Sequence, residues 1–201
     1  MSLKYTCLKC GVCCYEIESN IEGYKKRIPL FPEEADRLIK LAKKKNIVFK
    51  IIEDLVFPDI LNKKIIVLTW KILMDNPEKC CPFYIPNKGC SIHEEKPLAC
   101  KAFPLALERV DSFNIELRLD PLCKFVLNKY DQLKIADMDK LKDIFETEFP
   151  HAEQLYKKNK KLILKIRRLE YENKIKIARE ITITDLNKAL NEWERIEIKV
   201  K

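Results

Sequence analysis

The spacing of the cysteines constrains this chain more than any other feature of its sequence. Nine cysteines are present, at Cys7, Cys10, Cys13, Cys14, Cys80, Cys81, Cys90, Cys100 and Cys123. The first four fall within eight residues, as C-x2-C-x2-C-C. Thiolates are soft ligands that suit zinc and iron–sulfur clusters, and two-residue gaps let a tight turn direct successive thiols toward one centre. The pattern therefore predicts that sulfur ligands bind a metal or a cluster.

Size and composition favour reduced thiols over a disulfide framework. A chain of 201 residues, 47% apolar, can form a core without disulfides. It has no apolar run of about 18 residues, and its first residues lack a signal-peptide core, so we expect a cytoplasmic protein. Abundant Lys and Glu with scarce Gln is typical of hyperthermophiles, whose intracellular proteins can carry disulfides. Disulfides thus remain an alternative, although vicinal and CxxC pairs are poor long-range staples.

The order of local patterns predicts an α+β fold, with a small sheet and irregular cysteine-rich loops followed by an α-helical C-terminal segment. Pro32 and two glutamates favour a helix start. Residues 47–74 contain β-branched runs typical of strands, and residues 105–119 indicate a hairpin. From about Asp137 the apolar spacing is helical, with Thr184 or Asp185 as the cap of the last helix. We expect a cysteine-cluster metal-binding domain at 1–136 and a helical, basic C-terminal segment at 137–201.

A small hairpin is also predicted around Cys90. Pro86 to Gly89 form a turn signal. A four-residue turn would place Ile85 opposite Cys90, with Cys81 four residues further from the turn. The sequence does not fix this register.

The positive charge is concentrated near the C-terminus. Residues 157–201 hold 14 Lys/Arg against 7 Asp/Glu, whereas residues 1–156 hold 25 against 24. The stretch 157–168 has seven cations and no acid. We expect Leu155, Leu162, Ile166 and Leu169 to pack on the domain, with the lysines in solvent. Binding of a phosphate backbone or of an anionic membrane surface is the alternative.

The cysteine spacing alone favours an iron–sulfur cluster over zinc. Cys7, Cys10 and Cys13 match the first three positions of a C-x2-C-x2-C run that holds clusters. Cys14 follows directly, and adjacent side chains of an extended backbone point to opposite sides. Cys13 and Cys14 would then serve two centres, or one would ligate while the other packs. The same reasoning applies to the pair Cys80 and Cys81.

Several motifs together resemble those of the YkgJ-type cysteine-cluster family. They are the N-terminal cysteine group, Cys81-Pro82-Phe83-Tyr84, the segment 89–104 (GCSIHEEKPLACKAFP) and Cys123, and the likeness runs from about Lys4 to Phe125. The resemblance implies zinc or iron chelation. It implies eight ligands: Cys7, Cys10, Cys13, Cys14, Cys81, Cys90, Cys100 and Cys123. Cys80 has no counterpart in the family pattern.

Three positions depart from that family pattern. The family usually shows Tyr, Arg and Arg where this chain has His93, Lys96 and Lys101. Lysine keeps the charge of arginine but loses its bidentate fork, so an anion-clamping role is in doubt and the metal site is not. We interpret His93 as a hydrogen-bonded structural residue rather than a ligand.

The leading hypothesis is a metal-binding protein that holds an iron–sulfur cluster (favoured) or zinc and serves electron transfer with a protein redox partner, or cluster or metal carriage. One alternative is a cluster-containing, protein-modifying enzyme, because the resemblance extends to the cysteine-rich part of flagellin lysine methylases. With only three glycines, a Gly-rich nucleotide loop is not expected, and no residue is assigned a catalytic role. The other alternative is a nucleic-acid-associated module that uses the basic residues 157–201.

Overall fold

The computed structural model describes residues 3–15, 28–111 and 113–200. A 3₁₀ turn at Val12–Cys14 is followed by α1 (Pro32–Lys44), β1 (Ile51–Asp59), β2 (Lys64–Ile72), β3 (Tyr84–Ile85), β4 (Gly89–Cys90), α2 (Leu98–Ala102), β5 (Leu105–Arg109), β6 (Ile115–Leu119), α3 (Lys124–Asn128), α4 (Tyr130–Leu133), α5 (Met138–Ile144), α6 (Phe149–Tyr171), α7 (Ile183–Glu192) and β7 (Glu194–Glu197). The fold is α+β with a largely helical C-terminal region, as the sequence predicts. Within the described ranges, no helix is long and apolar enough to cross a membrane.

The chain packs as two compact units, each made of two stretches of sequence. The first, here the cysteine unit, is Met1–Ile28 with Met74–Tyr156 and contains all nine cysteines. The second, here the basic unit, is Pro29–Leu73 with Lys157–Lys201. The linear division at residues 136 and 137 describes sequence segments rather than packing, and it stays a prediction.

The basic unit is built on the three-stranded sheet β1-β2-β7. Strand β1 pairs antiparallel with β2, and β7 lies parallel to β2 on its other side. Ile65, Ile66 and Val67 of the central strand are fully buried, as expected for a strand covered on both sides. Strand β7 was not predicted, and the strand expected to begin at Ile47 begins instead at Ile51.

At the starts of helices α1 and α7 of the basic unit, a side chain accepts a hydrogen bond from a backbone N–H group. Helix α1 has Pro32 at its first position, and the side chain of Glu34 accepts a 3.0 Å hydrogen bond from the Phe31 N–H. Helix α7 is capped by Thr182, whose hydroxyl accepts from the Asp185 N–H at 3.1 Å. The prediction that Thr184 or Asp185 caps this helix was therefore wrong by two or three residues, because Thr182 has the extended backbone that a cap requires.

A buried carboxylate fixes the β1–β2 turn. Asp59 is 0% exposed. Its Oδ1 accepts from the N–H groups of Leu61 (3.1 Å) and Lys176 (2.9 Å), and its Oδ2 accepts from Asn62 Nδ2 (2.6 Å). The same Nδ2 donates to the Lys174 carbonyl at 2.8 Å. These bonds tie the turn to the segment after α6.

Asp59→Asn should therefore lower the free energy of unfolding by about 1–3 kcal/mol. An amide NH₂ in place of Oδ2 faces the Asn62 NH₂, so one bond is lost, while Oδ1 can keep both backbone donors. Urea denaturation measures the change, and Asn62→Ala is the control because it removes the same bond from the other side. An unchanged unfolding midpoint for Asp59→Asn would contradict this account of the turn.

The cysteine unit has an aromatic core next to its cysteines. The ring of Tyr5 lies 5.0 Å from that of Phe125 and 5.1 Å from that of Phe145. The Tyr5 N–H also donates to the Ile144 carbonyl at 2.8 Å. The N-terminal segment is thus anchored to α5 two residues before Cys7. The predicted hairpin at 105–119 is confirmed as β5 and β6.

Candidate metal centre

A glycine turn shapes the N-terminal cysteine loop. Gly11 is buried with φ +76°, a conformation that favours glycine. It precedes the 3₁₀ turn Val12–Cys14, in which the Cys14 N–H donates to the Gly11 carbonyl at 2.6 Å. A Cβ on Gly11 would overlap the ring of Tyr84. The loop is therefore folded tightly against the hairpin that carries Cys90.

The sulfurs of Cys13 and Cys14 lie 3.9 Å apart. The expectation that these adjacent side chains point to opposite sides was wrong, because it assumed an extended backbone. The residues lie instead in a 3₁₀ turn, where successive side chains are about 120° apart. Both thiols can therefore face the same centre.

Backbone pairing brings the second cysteine segment to the first. The Cys81 N–H donates to the Cys14 carbonyl at 2.7 Å, and Tyr15 forms a bridge with Cys80. The side chain of Asn76 holds Cys80 by two hydrogen bonds, donating to its carbonyl at 2.7 Å and accepting from its N–H at 2.9 Å. The two adjacent cysteine pairs therefore lie on paired backbone segments.

The β3–β4 hairpin places Cys90 opposite Tyr84 rather than opposite Ile85. The Cα partners are Tyr84 with Cys90 and Ile85 with Gly89. The sequence left this register open, and a four-residue turn does not form, because only Pro86, Asn87 and Lys88 lie between the strands and Asn87 adopts φ +62°. The hairpin is one residue tighter than a four-residue turn would make it, so Cys90 is closer to Cys81 along the strands.

The last two cysteines stand on short helices. Cys100 lies in α2, and Cys123 is the residue just before α3. The Cys123 N–H donates to the Asp120 carbonyl at 3.1 Å, and the Cys123 side chain is buried in the aromatic core. All nine cysteines are free thiols.

Mutual electrostatic effects show that the thiols from these segments lie near one another. Burial raises the pKa of Cys81 to about 11, and it also raises the pKa values of Cys90, Cys100 and Cys123. A smaller contribution to each of these four rises comes from the charge of Cys13. The pKa of Cys14 is raised first by its hydrogen bond with Cys13 and then by burial. Cys13 therefore lies near thiols of the other cysteine segments.

Cys7 and Cys10 belong to the same neighbourhood. The charge of Cys7 contributes to the raised pKa of Cys90, and that of Cys10 to the raised pKa of Cys123, after burial in both cases. Cys80 contributes to the raised pKa of Cys81, its neighbour in sequence. Thiols from all the cysteine segments therefore lie within electrostatic range of one another.

Backbone amides counteract part of the rise in pKa that burial causes at three sulfurs. The N–H groups of Phe83 and Ile92 lower the pKa values of Cys81 and Cys90, and those of Val126 and Phe125 lower that of Cys123, against the larger effect of burial. In each case an N–H two residues after the cysteine points at its sulfur. Such hydrogen bonds favour the thiolate, which is the form that binds metals.

Cysteine sulfurs are donors that suit a soft metal. The sulfurs lie near one another, but they do not yet converge on one metal position. In the part of the chain that the structure describes, no three His, Cys, Asp or Glu side chains are close enough together to hold a metal ion as they stand. Because their pKa values are raised, the thiols of Cys14, Cys81, Cys90, Cys100 and Cys123 are protonated at neutral pH, so a metal must displace their protons and draw the sulfurs inward. Binding is therefore coupled to ordering of the loops.

A group of polar side chains lies beside the thiols. His93 is half-buried, and burial followed by the charge of Lys96 lowers its pKa. Burial raises the pKa of Glu148, an effect that Lys96 and His93 partly oppose. Burial raises the pKa of Tyr5 strongly, followed by the charges of Cys123 and Cys7. Sequence reasoning missed Glu148 and Tyr5; for Tyr5 the available signal was its position two residues before Cys7.

Comparison with known proteins identifies a family. Comparisons with curated proteins and with solved structures give no match. The family model CxxCxxCC, described as "Putative zinc- or iron-chelating domain", matches residues 6–124. This match covers more than half of the chain and includes all nine cysteines, and it supports metal binding. The chain therefore belongs to the CxxCxxCC family of zinc- or iron-chelating domains.

Proposed function

We propose that this protein holds an iron–sulfur cluster through cysteines of the family pattern and uses it in electron transfer or in cluster carriage. The proposed ligand set is Cys7, Cys10, Cys13, Cys14, Cys81, Cys90, Cys100 and Cys123. The observation that carries the proposal is the meeting of two cysteine segments, in which the Cys81 N–H donates to the Cys14 carbonyl at 2.7 Å and the sulfurs of Cys13 and Cys14 lie 3.9 Å apart. Thiols from distant parts of the sequence thus share one electrostatic neighbourhood.

The spacing and surroundings of the donors favour a cluster over zinc. A structural zinc ion and an iron–sulfur cluster each take four cysteine ligands, so eight thiols match two centres of either kind and their number does not discriminate between them. The C-x2-C-x2-C run is the spacing typical of cluster-binding loops. The amides of Phe83 and Ile92 aimed at sulfurs also fit, because hydrogen bonds to ligating sulfur tune the potential of a cluster.

The residues of this chain do three things in the proposed function. The loop around Gly11 and the paired backbone of Cys14 and Cys81 position the sulfurs. The amides after Cys81 and Cys90 stabilise negative charge on them. The aromatic rings around Tyr5 limit water on one side of the site. A bound cluster would supply one-electron redox chemistry.

Anaerobic purification tests the identity of the bound group. We expect a brown protein with a broad absorbance near ~400 nm, and iron and acid-labile sulfide in equal amounts. The measurements are the optical spectrum, iron and zinc by mass spectrometry, and the sulfide assay. A colourless protein that contains zinc and no sulfide would contradict the cluster and support zinc chelation instead.

The two roles can then be separated with the loaded protein. For electron transfer, reduction with dithionite followed by air-free reoxidation should restore the spectrum with no loss of iron. For carriage, mixing with a metal-free ferredoxin should move iron and sulfide to that protein. If neither reversible reduction nor transfer occurs, the cluster is structural and the proposed use is wrong.

A further inference from the structure

We propose that the basic unit binds nucleic acid by contacting the phosphate backbone with the outer face of α6. This function is separate from metal binding. It rests on the division of charge between the two units, on the arrangement of cations along one helix face, and on the way that the neighbouring acids are paired.

The two units differ sharply in charge. The segments of the basic unit hold 23 Lys/Arg against 13 Asp/Glu, a net charge of +10. Those of the cysteine unit hold 16 against 18, a net charge of −2 before any thiolate is counted. A large excess of one sign on one unit creates an attractive field for a polyanion.

Cations cover the outer face of the part of α6 that belongs to the basic unit. Residues three and four apart share a helix face, and one such set is Lys157, Lys160, Lys161, Leu164, Arg167, Arg168 and Tyr171. The set contains five cations and no acid and spans about 21 Å. The opposite face is buried through Leu162 and Ile166, so the cationic face is directed outward.

The acids near this face are paired with cations. Glu170 pairs with Arg179 at 2.8 Å, and Glu172 pairs with Lys174 at 2.8 Å and with Arg168, a member of the face, at 2.7 Å. Glu172 therefore offsets part of the charge of Arg168. The pairing of both carboxylates reduces the repulsion that a phosphate would otherwise meet there.

One lysine of the same stretch has a structural role instead. The ammonium group of Lys158 pairs with Glu33 and lies 3.9 Å above the ring of Phe31. The lysines of this stretch therefore divide into one that packs inward and several that face solvent. Lys160 and Arg167 are exposed members of the outward set.

The apolar residues favour nucleic acid over an anionic membrane. A helix that lies on a membrane buries a continuous apolar face in it, but the apolar face of α6 is already buried within the basic unit. The outward Leu164, 52% exposed, stands among cations. Tyr171 is 89% exposed, and a freely accessible aromatic ring is a surface on which a base of a single strand can stack.

The test uses the full chain and fluorescently labelled 20-nucleotide DNA, both single-stranded and duplex. Binding should weaken about 100-fold between 50 and 200 mM salt, because about four contacts to phosphates release counterions. The variant K160E/R167E should weaken binding at least about tenfold at low salt. The matched control is K40E/K44E, which makes the same charge change at exposed positions of α1 in the same unit.

Four outcomes would overturn the proposal. They are no binding at 50 mM salt, binding that is insensitive to salt, equal loss in K160E/R167E and K40E/K44E, and binding to anionic phospholipid vesicles without binding to DNA. Metal content should be unchanged in K160E/R167E, so this proposal can fail while the metal site stands. Tyr171→Ala should weaken binding of the single strand more than binding of the duplex, and an equal effect would exclude stacking.

Discussion

Replacing Cys13 by serine should remove most of the bound metal. The sulfur of Cys13 lies 3.9 Å from that of Cys14. The Cys14 carbonyl accepts a hydrogen bond from the Cys81 N–H at 2.7 Å, so Cys13 lies where two cysteine segments meet. A hydroxyl is a poor ligand for a soft metal, so the variant loses a donor at this position. Because metal binding orders the loops, the melting temperature of the loaded protein should fall together with metal content.

Cys80 and Cys81 provide the matched comparison for this prediction. Cys80→Ser should keep the metal content of the unmodified protein, because Cys80 lies outside the family pattern and its backbone is held by Asn76. Cys81→Ser should lower metal content and melting temperature together, as should serine at Cys7, Cys10, Cys90 or Cys100. Metal per protein is measured across the series. Equal losses at Cys80 and Cys81 would show that the ligand assignment is wrong, and no loss anywhere would show that the cysteines are not ligands.

Elements with strong local signals could be predicted from the sequence. Helix α1 begins at Pro32, where proline and the acidic pair favour a first turn. The hairpin of β5 and β6 has two β-rich runs joined by a short polar turn at Asp111. In both cases residues close together in the chain determine the structure, so the pattern contains the information needed.

Elements that depend on distant residues could not be predicted. Strand β7 pairs parallel with β2, far away in sequence. Three of its four residues are charged (Glu194, Arg195 and Glu197), so the short sequence shows no strand periodicity that would distinguish it from the end of α7. The assembly of the basic unit from Pro29–Leu73 and Lys157–Lys201 likewise rests on contacts that span 83 intervening residues. Periodicity reports which face of an element is buried, and it does not report the partner against which that face packs.

The candidate site also combines features that local sequence predicts with features that depend on the folded chain. Spacing and resemblance supplied the cysteines, but the backbone conformation at Cys13 and Cys14 depends on a glycine turn and on packing against Tyr84. The amides that point at three sulfurs also follow from backbone geometry rather than from residue type. The contact between the sulfurs of Cys13 and Cys14 could therefore be found only in the folded chain.

Gly11→Ala should destabilise the cysteine unit and weaken metal loading together. Gly11 has φ +76°, which costs an L-residue about 1–2 kcal/mol, and a Cβ there would overlap the Tyr84 ring. Relief requires either the ring or the turn to move, and the turn carries Cys10 and Cys13 on either side of the glycine. We expect a total loss of about 2–4 kcal/mol in the free energy of unfolding.

Two further variants separate the cost of the positive φ at Gly11 from the cost of overlap with the Tyr84 ring. Gly89→Ala is the control, because Gly89 also has a positive φ (+85°) but a Cβ there would meet its nearest neighbour, the Cβ of Lys9, at 3.0 Å rather than overlap a ring; its loss should be smaller. In a Tyr84→Ala background the overlap is absent, so Gly11→Ala should cost less than it does in the unmodified protein, and the difference is the coupling between the two residues. The measurements are urea denaturation and metal per protein. Additive losses, or a Gly11→Ala variant that keeps full metal loading, would contradict the role of the turn, since the packing of Tyr84 on Gly11 is what holds the N-terminal thiols beside Cys90.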